Sequence, residues 1–262
     1  MEKTLVLKNR IVTLLTDFGT HDTFVGSMKG VILGICPEVQ LVDLTHEVPP
    51  QAITTGAFLL KSAIEYFPKG TIHLAVVDPG VGSFRKAIAV QSHGHTFVGP
   101  DNGLFSAALK DWGIDRVVEL TEKKFHLKNP SSTFHGRDIF APVAGFLAKG
   151  TPFAKLGEKT NHWVWREIPK PFKASAGWTG EVMWIDRFGN LITNFQKQHL
   201  SKPFRLKIGK TVVLNLANHY AEAKRGTVIG ILGSSGNLEI SVNGGNAAQK
   251  LGVAIGASTV LC

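Results

Sequence analysis

Ile72-His73-Leu74-Ala75-Val76-Val77-Asp78-Pro79-Gly80-Val81-Gly82-Ser83-Phe84-Arg85 is the stretch that decides the fold. Its first six residues are a short apolar run of the kind that reads as a buried strand. Pro79, Gly80 and Gly82 forbid its continuation and favour a tight loop with exposed backbone. An acid, Asp78, therefore stands at the carboxyl end of a buried strand, with Arg85 seven residues on. In open α/β sheets that edge is where ligands bind.

Working outward, the same pattern recurs. Residues 11–16 are β-rich and end at Asp17-Phe18-Gly19, and residues 23–35 carry apolar side chains at helical spacing. Residues 39–44 read as a second strand, ending at Thr45-His46-Glu47-Val48-Pro49-Pro50. Residues 52–67 are helical again, stopped by Pro68 and Gly70. This alternation predicts a parallel α/β sheet. Asp17, His46 with Glu47, and Asp78 each close a strand, and polar groups gathered on one sheet edge are costly unless they meet ligand or water.

Residues 87–91 and 95–98, split by Ser92-His93-Gly94, predict a hairpin. His93 and His95 form an H-x-H pair but have no further ligand at suitable spacing, so they read as turn-flanking residues and no metal site is expected. A tight loop, Gly99-Pro100-Asp101-Asn102-Gly103, leads to a short helix over 104–109, and 116–120 is another strand. Phe134-His135-Gly136-Arg137-Asp138 then opens a helix running through 139–148.

From about Gly150 the character shifts. Pro152, Pro169 and Pro171, with the polar stretch 155–161, suggest a linker. The strand candidates beyond it are short and evenly spaced: 180–185, 191–194, 204–208, 212–216, 228–232, 238–242 and 258–261. The expected architecture is α/β, with an N-terminal mostly parallel α/β sandwich domain over residues 1–172 and a smaller C-terminal all-β barrel domain over 173–262. In the second half, Asp186-Arg187-Phe188-Gly189-Asn190 offers an aromatic to stack on a base and an amide to read its edge. Gly233-Ser234-Ser235-Gly236 and Asn243-Gly244-Gly245-Asn246-Ala247-Ala248 add hydroxyls, amides and exposed backbone.

Composition narrows the function classes. The chain has 262 residues, 44% hydrophobic and 19% charged, an ordinary globular balance. The net charge of +9 is spread over scattered positions such as Lys110, Lys123, Lys124, Lys149, Lys155 and Lys159, so no nucleic acid partner is expected. Two cysteines, Cys36 and Cys262, make no disulfide framework and read as free thiols in a reducing cytoplasm. Residues 1–10 lack the apolar core of a signal peptide, and no apolar run approaches ~18 residues, so no membrane association is expected.

No G-x-G-x-x-G follows the first strand, and there is no Walker loop and no G-x-S-x-G elbow. A carboxylate, a guanidinium and an imidazole in one pocket can position and polarise a water, take its proton and hold developing hydroxide. That set suits water attack on an electrophile needing no metal. A sulfonium carbon, an ester and a phosphate all fit on residues alone.

Taken together, Thr16-Asp17-Phe18-Gly19, Asp78 with Arg85, and the Phe134–Asp138 run resemble the S-adenosyl-L-methionine hydrolases, the hydroxide adenosyltransferases related to the fluorinating and chlorinating adenosyl enzymes. The resemblance covers nearly the whole chain. It implies hydrolysis of S-adenosyl-L-methionine to adenosine and L-methionine by in-line attack at the ribose 5′ carbon, without a cofactor. Asp78, Arg85 and His135 then match the family's water-activating set, and Asp17, beside Phe18, matches the acid holding the ribose hydroxyls. Asp186, Phe188, Asn190, Ser234, Ser235, Asn246 and Ala247 match substrate-binding positions of the second domain. The family assembles as a homotrimer with intersubunit active sites. The halogenating relatives carry a Tyr where this chain has Asp78, lack the Asp-Arg-His set and carry an extra loop in the first domain, so the chain sides with the hydrolases; a second departure is Pro49-Pro50-Gln51, where those relatives use an aromatic around the position of Pro50 to cover the ligand. The competing readings are a non-catalytic binder of adenosine or S-adenosylmethionine, a halogenase-type adenosyltransferase, and a general phosphate or ester hydrolase.

Overall fold

The computed structural model describes residues 11–201 and 203–262; the signal-peptide reading of residues 1–10 lies outside the described residues. The fold is mixed α/β, in two compact units, Met1–Ile168 and Pro169–Cys262.

In the first unit β1 (Ile11–Thr16), α1 (Phe24–Ile35), β2 (Gln40–Thr45), α2 (Ile53–Ile64) and β3 (Ile72–Val76) alternate as the spacing predicts. The hairpin β4 (Ala87–Ser92) and β5 (His95–Pro100) follows, then α3 (Ser106–Trp112), β6 (Arg116–Glu119), α4 (Ala141–Lys149) and β7 (Glu158–Lys159). They build a seven-stranded sheet in the order β2-β1-β3-β5-β4-β6-β7. The first four strands in that order run parallel, and β4, β6 and β7 add antiparallel edges.

Side-chain alternation along β1 and β3 distributes their residues over two cores. Val12, Leu14, Leu74 and Val76 join Met28 and Ile32 of α1 and Val143 of α4. Leu15, Ala75 and Val77 join Ala57 and Leu60 of α2 and Leu109 of α3. The chain leaves β1 toward β2 on one flank and returns as β3 on the other. That reversal is a topological switch point, where a crevice opens at the strand carboxyl ends. Asp17 directly follows β1 there, and Asp78 stands two residues past the end of β3.

Three expectations are corrected in this region. The helix expected to run on from His135 begins as a wide π turn, Gly136–Phe140, before α4. Residues 155–161, expected to be linker, contribute the edge strand β7, paired to β6. The boundary expected at 172/173 falls at Ile168/Pro169, because β8 (Phe172–Ala174) ladders onto β9 (Gly177–Ile185) and so belongs to the second sheet.

The second unit continues with β10 (Leu191–Gln196), β11 (Leu206–Ile208), β12 (Thr211–Val213), β13 (Leu216–Ala217), β14 (Val228–Leu232), β15 (Asn237–Val242), a short α5 (Ala247–Leu251) and β16 (Ser258–Leu261). The strand order is β12-β11-β16-β9-β10-β15-β14-β13, with β8 on β9. Residues 212–216, expected as one strand, are split between the two ends of that order. Only Leu214 and Asn215 separate β12 from β13, so the sheet must curl until its edges are chain neighbours. Among the described residues no ladder joins those edges, and the sheet is curled and open rather than a closed barrel. Val182, Phe195, Leu206, Leu238 and Ile240 fill its concave side.

Candidate active site

The turn after β3 folds Arg85 back onto Asp78. Backbone bonds from Val81 to Asp78 O (3.2 Å) and from Ser83 to Gly80 O (3.1 Å) set the reversal. Gly82 sits at φ +76°, and a Cβ there would lie 2.2 Å from Ser132 O, so only glycine lets this loop abut the segment leading to His135. The Arg85 fork closes on the carboxylate: Nε lies 3.0 and 3.1 Å from Asp78 Oδ1 and Oδ2, and Nη2 lies 2.5 Å from Oδ2. Nη2 also donates to His135 Nδ1 at 2.8 Å. The Asp78 and Arg85 side chains are 5% and 10% exposed, so the pair is largely desolvated and its geometry is bidentate, the arrangement that offsets the desolvation cost. The guanidinium also stacks 5.2 Å above the Phe140 ring, which the π turn presents.

This geometry assigns the proton on His135. A guanidinium has no acceptor and keeps its charge, so Nδ1 must offer its lone pair and the neutral ring carries hydrogen on Nε2. Burial and then the adjacent Arg85 charge push the His135 pKa down, against Asp78 and Asp138. Asp138 is itself buried and held by Arg137 (Nε–Oδ1 2.6 Å) and by the Ser131 N–H (2.7 Å), which fixes the loop before His135.

Asp17 is bracketed differently. Its Oδ2 accepts the Gln51 N–H at 2.7 Å, and Gln51 holds the left-handed φ of 66° to deliver it. A non-glycine residue in that region is strained, and such strain gathers at ligand clamps. Burial raises the Asp17 pKa, opposed by the Gln51 N–H, and the Asp78 charge adds to the rise. Phe18 packs in a ring cluster with Phe24 and Phe134, centroids 5.8 Å from each. The first unit thus brings Asp17, Phe18, Asp78, Arg85 and His135 to one edge of its sheet.

In the second unit Asp186 organises its own loop. Its Oδ1 accepts from Phe188 N (2.9 Å) and Asn190 N (2.8 Å), and its Oδ2 accepts from Asn190 Nδ2 (2.8 Å). That leaves the Phe188 ring 76% exposed, while Asn190 is buried. Asn246 caps α5 by accepting from Gln249 N at 2.8 Å and packs on Gly189, where φ is +83° and a Cβ would lie 2.1 Å from the Asn246 amide carbon. Ala248 N bonds Gly189 O at 3.0 Å, joining the two loops. Ser234 and Ser235 are exposed in the β14–β15 turn. Ala247, expected as a substrate contact, is fully buried in the core of the second unit; its side chain is packing, which leaves its backbone to meet a ligand.

Two residues escaped the sequence reading. Gln51 acts through its backbone, which leaves no mark on residue type. Glu239, on β15, lies beside Tyr220 and Gly233, and burial followed by the Asp186 charge raises its pKa. Its signal was the one charged residue in a strand that is otherwise neutral.

A model of the SAM hydroxide adenosyltransferase N-terminal domain matches residues 12–157, and one of the C-terminal domain matches 180–260. The (R)-S-adenosyl-L-methionine hydrolase of Salinispora tropica is 38% identical over 249 residues, 94% of this chain and 95% of that protein. The crystal structure of an uncharacterized conserved protein from Thermotoga maritima superimposes with a TM-score of 0.90 at 34% identity, covering 96% of this chain and 99% of that one. The fluorinase of Nocardia brasiliensis matches at 26% identity over 285 residues, 95% of each chain.

Proposed function

The chain belongs to the SAM hydroxide adenosyltransferase family, and we propose that it hydrolyses S-adenosyl-L-methionine to adenosine and L-methionine. The observation that carries the mechanism is the Asp78–Arg85–His135 array, a desolvated carboxylate, a guanidinium and a neutral imidazole in direct contact. Water attacks the ribose 5′ carbon in line with the sulfonium. A C–O bond forms, the C–S bond breaks, and its electron pair stays on sulfur, so methionine leaves as a neutral thioether and no acid has to protonate it. One proton leaves the water. His135 faces Arg85 with its Nδ1 lone pair and carries hydrogen on Nε2, so it orients by donation. The Asp78 carboxylate keeps lone pairs beyond those Arg85 uses and is the acceptor. Hydroxide formed beside Arg85 is held by charge, and its attraction to a sulfonium grows as water is excluded.

On this reading Asp17 accepts both ribose hydroxyls, with the Gln51 N–H fixing one of its oxygens. Phe188 offers a stacking face for the base, with Asp186, Asn190, Ser234, Ser235 and Asn246 as polar contacts. One further element of the proposal rests on the resemblance alone: a homotrimer with intersubunit active sites. A light-scattering mass of one chain with full activity would remove the trimer. A cytoplasmic location is supported by cysteine usage, two cysteines in 262 residues being too few for a disulfide framework; among the described residues no helix is long and apolar enough to cross a membrane.

Incubation with S-adenosyl-L-methionine in 18O-water tests the reading. The expected products are L-methionine and adenosine labelled at the 5′ oxygen. Halide added to the reaction distinguishes the fluorinase-like alternative by a 5′-halo-5′-deoxyadenosine product. Bound but unreacted substrate would leave a binding protein.

A further inference from the structure

His46 lies outside the water-activating set, yet the loop that carries it makes every polar contact described above to the turn at the end of β1. Its ring is 4% exposed, and Thr16, the last residue of β1, is fully buried. Thr16 Oγ1 and His46 Nδ1 are 2.8 Å apart. The Phe18 N–H donates to that same Oγ1 at 3.3 Å, so the hydroxyl hydrogen is free to point at Nδ1. Nδ1 is then the acceptor and Nε2 the N–H; Nε2 faces Asp43 Oδ1 at 3.0 Å, a charge contact without hydrogen-bond alignment. Lys29 closes the chain at 2.5 Å on Asp43 Oδ2. Two backbone bonds run in parallel: Gly19 N to His46 O at 2.7 Å, and Gln51 N to Asp17 Oδ2 at 2.7 Å.

A Lys29–Asp43–His46–Thr16 relay thus grips the residue before Asp17, while the same β2–α2 connection grips the residue after Phe18 and the Asp17 carboxylate itself. A buried imidazole oriented by a carboxylate and aimed at a hydroxyl has the outline of a nucleophile triad. Thr16 has no exposed surface, so it cannot attack a substrate, and the imidazole acts on geometry instead. Burial pushes the Asp43 carboxyl up, but the contacts from Lys29 and His46 outweigh it and hold the group below its ordinary range, ionised as an orienting partner.

We propose that His46 is a positioning residue for nucleoside binding, acting through Thr16 to set the direction of Asp17. The inference rests on the reading that Asp17 holds the ribose hydroxyls. It predicts a split between binding and chemistry, because Asp78, Arg85 and His135 stand on other loops.

The test measures adenosine affinity by calorimetry, KM and kcat for S-adenosyl-L-methionine, and melting temperature, on H46A, H46N and T16V. In H46A, adenosine Kd and KM should each rise about tenfold, the scale of one lost hydrogen bond, with kcat within about threefold of the wild type. In H46N the amide oxygen overlays the position of Nδ1, so most of the affinity should return. T16V, nearly isosteric, should copy H46A and carries the test if H46A is unfolded. Folded H46A or T16V that binds adenosine as the wild type does, or folded H46N no better than H46A, overturns the inference. Wild-type protein that does not bind adenosine overturns the nucleoside reading, and the inference with it.

Discussion

Arg85 Nη2 lies 2.8 Å from His135 Nδ1, so the imidazole cannot be protonated without losing the guanidinium. The pH dependence follows from that contact. The His135 pKa is lowered from 6.5, first by burial and then by Arg85, so the neutral, Arg-bound ring persists to lower pH than in a free histidine. Activity should therefore be fully present above the ordinary histidine pKa and fall only as pH drops through the lowered one. A kcat/KM profile checks this: its acid limb should lie below pH 6.5, and a limb at or above that value would mean that His135 meets Arg85 otherwise in the working enzyme.

Replacing Arg85 by Lys keeps the charge but loses the fork that spans Asp78 and His135. A lysine nitrogen can satisfy one of those partners, not hold both in plane. The expected loss in kcat is ~10²-fold or more, the scale of a removed oxyanion donor, with KM little changed. Steady-state kinetics of R85K decide it, and an unchanged turnover number would take Arg85 out of the chemistry.

Why these contacts were only half legible in the sequence is a matter of which interactions leave a trace in residue type. The β–α alternation of the first unit was legible because burial on two sheet faces forces a period-2 or period-3.6 pattern on the apolar residues. The edge strand Glu158–Lys159 was not, since it buries nothing and takes its conformation from the β6 ladder. Residues 212–216 look continuous in propensity, and the break at Leu214 and Asn215 is imposed by the curl of the sheet. The helix Ala247–Leu251 is too short to show a period and is set by the Asn246 cap. At the site, Asp78 and Arg85 were readable as neighbours across a glycine turn. His135, fifty residues beyond Arg85, could be tied to them only through the family resemblance. Asn246 was readable as a polar loop residue, but nothing in its neighbour Ala247 distinguishes a ligand contact from core.

His73 gives a prediction about stability rather than activity. It is fully buried on β3, 2.8 Å from Thr13 Oγ1, and its Nε2 lies 3.1 Å from His95 Nδ1. Burial, with a smaller contribution from His95, lowers its pKa from 6.5 to about 3. Between those values the unfolded chain binds a proton that the folded chain refuses, so folding stability rises with pH across that window and is lost as pH falls. The His73 contribution to the loss between pH 7 and pH 5 is about 2 kcal/mol for the shift that burial imposes. Denaturant unfolding at the two pH values, compared between wild type and H73Q, isolates it: the variant should show the smaller pH dependence. Equal slopes would mean that His73 titrates in the folded state near its free value.

Asp78→Asn separates a catalytic carboxylate from a structural one. The substitution nearly preserves shape but removes the charge that pairs with Arg85 and the lone pairs offered to water. One amide oxygen can still accept from the guanidinium, so the loop should keep its course. Adenosine affinity should survive, because Asp17 and its Gln51 clamp are untouched. Hydrolysis should fall by the ~10²–10⁴ typical of a lost acid–base group. A structural Asp78 predicts the opposite division, since leaving a largely buried Arg85 without its counter-charge lowers stability while any protein that stays folded keeps its turnover. Melting temperature, adenosine affinity and kcat measured on this one variant tell the two apart. A lower melting temperature with undiminished specific activity would leave the proton acceptor to be sought elsewhere.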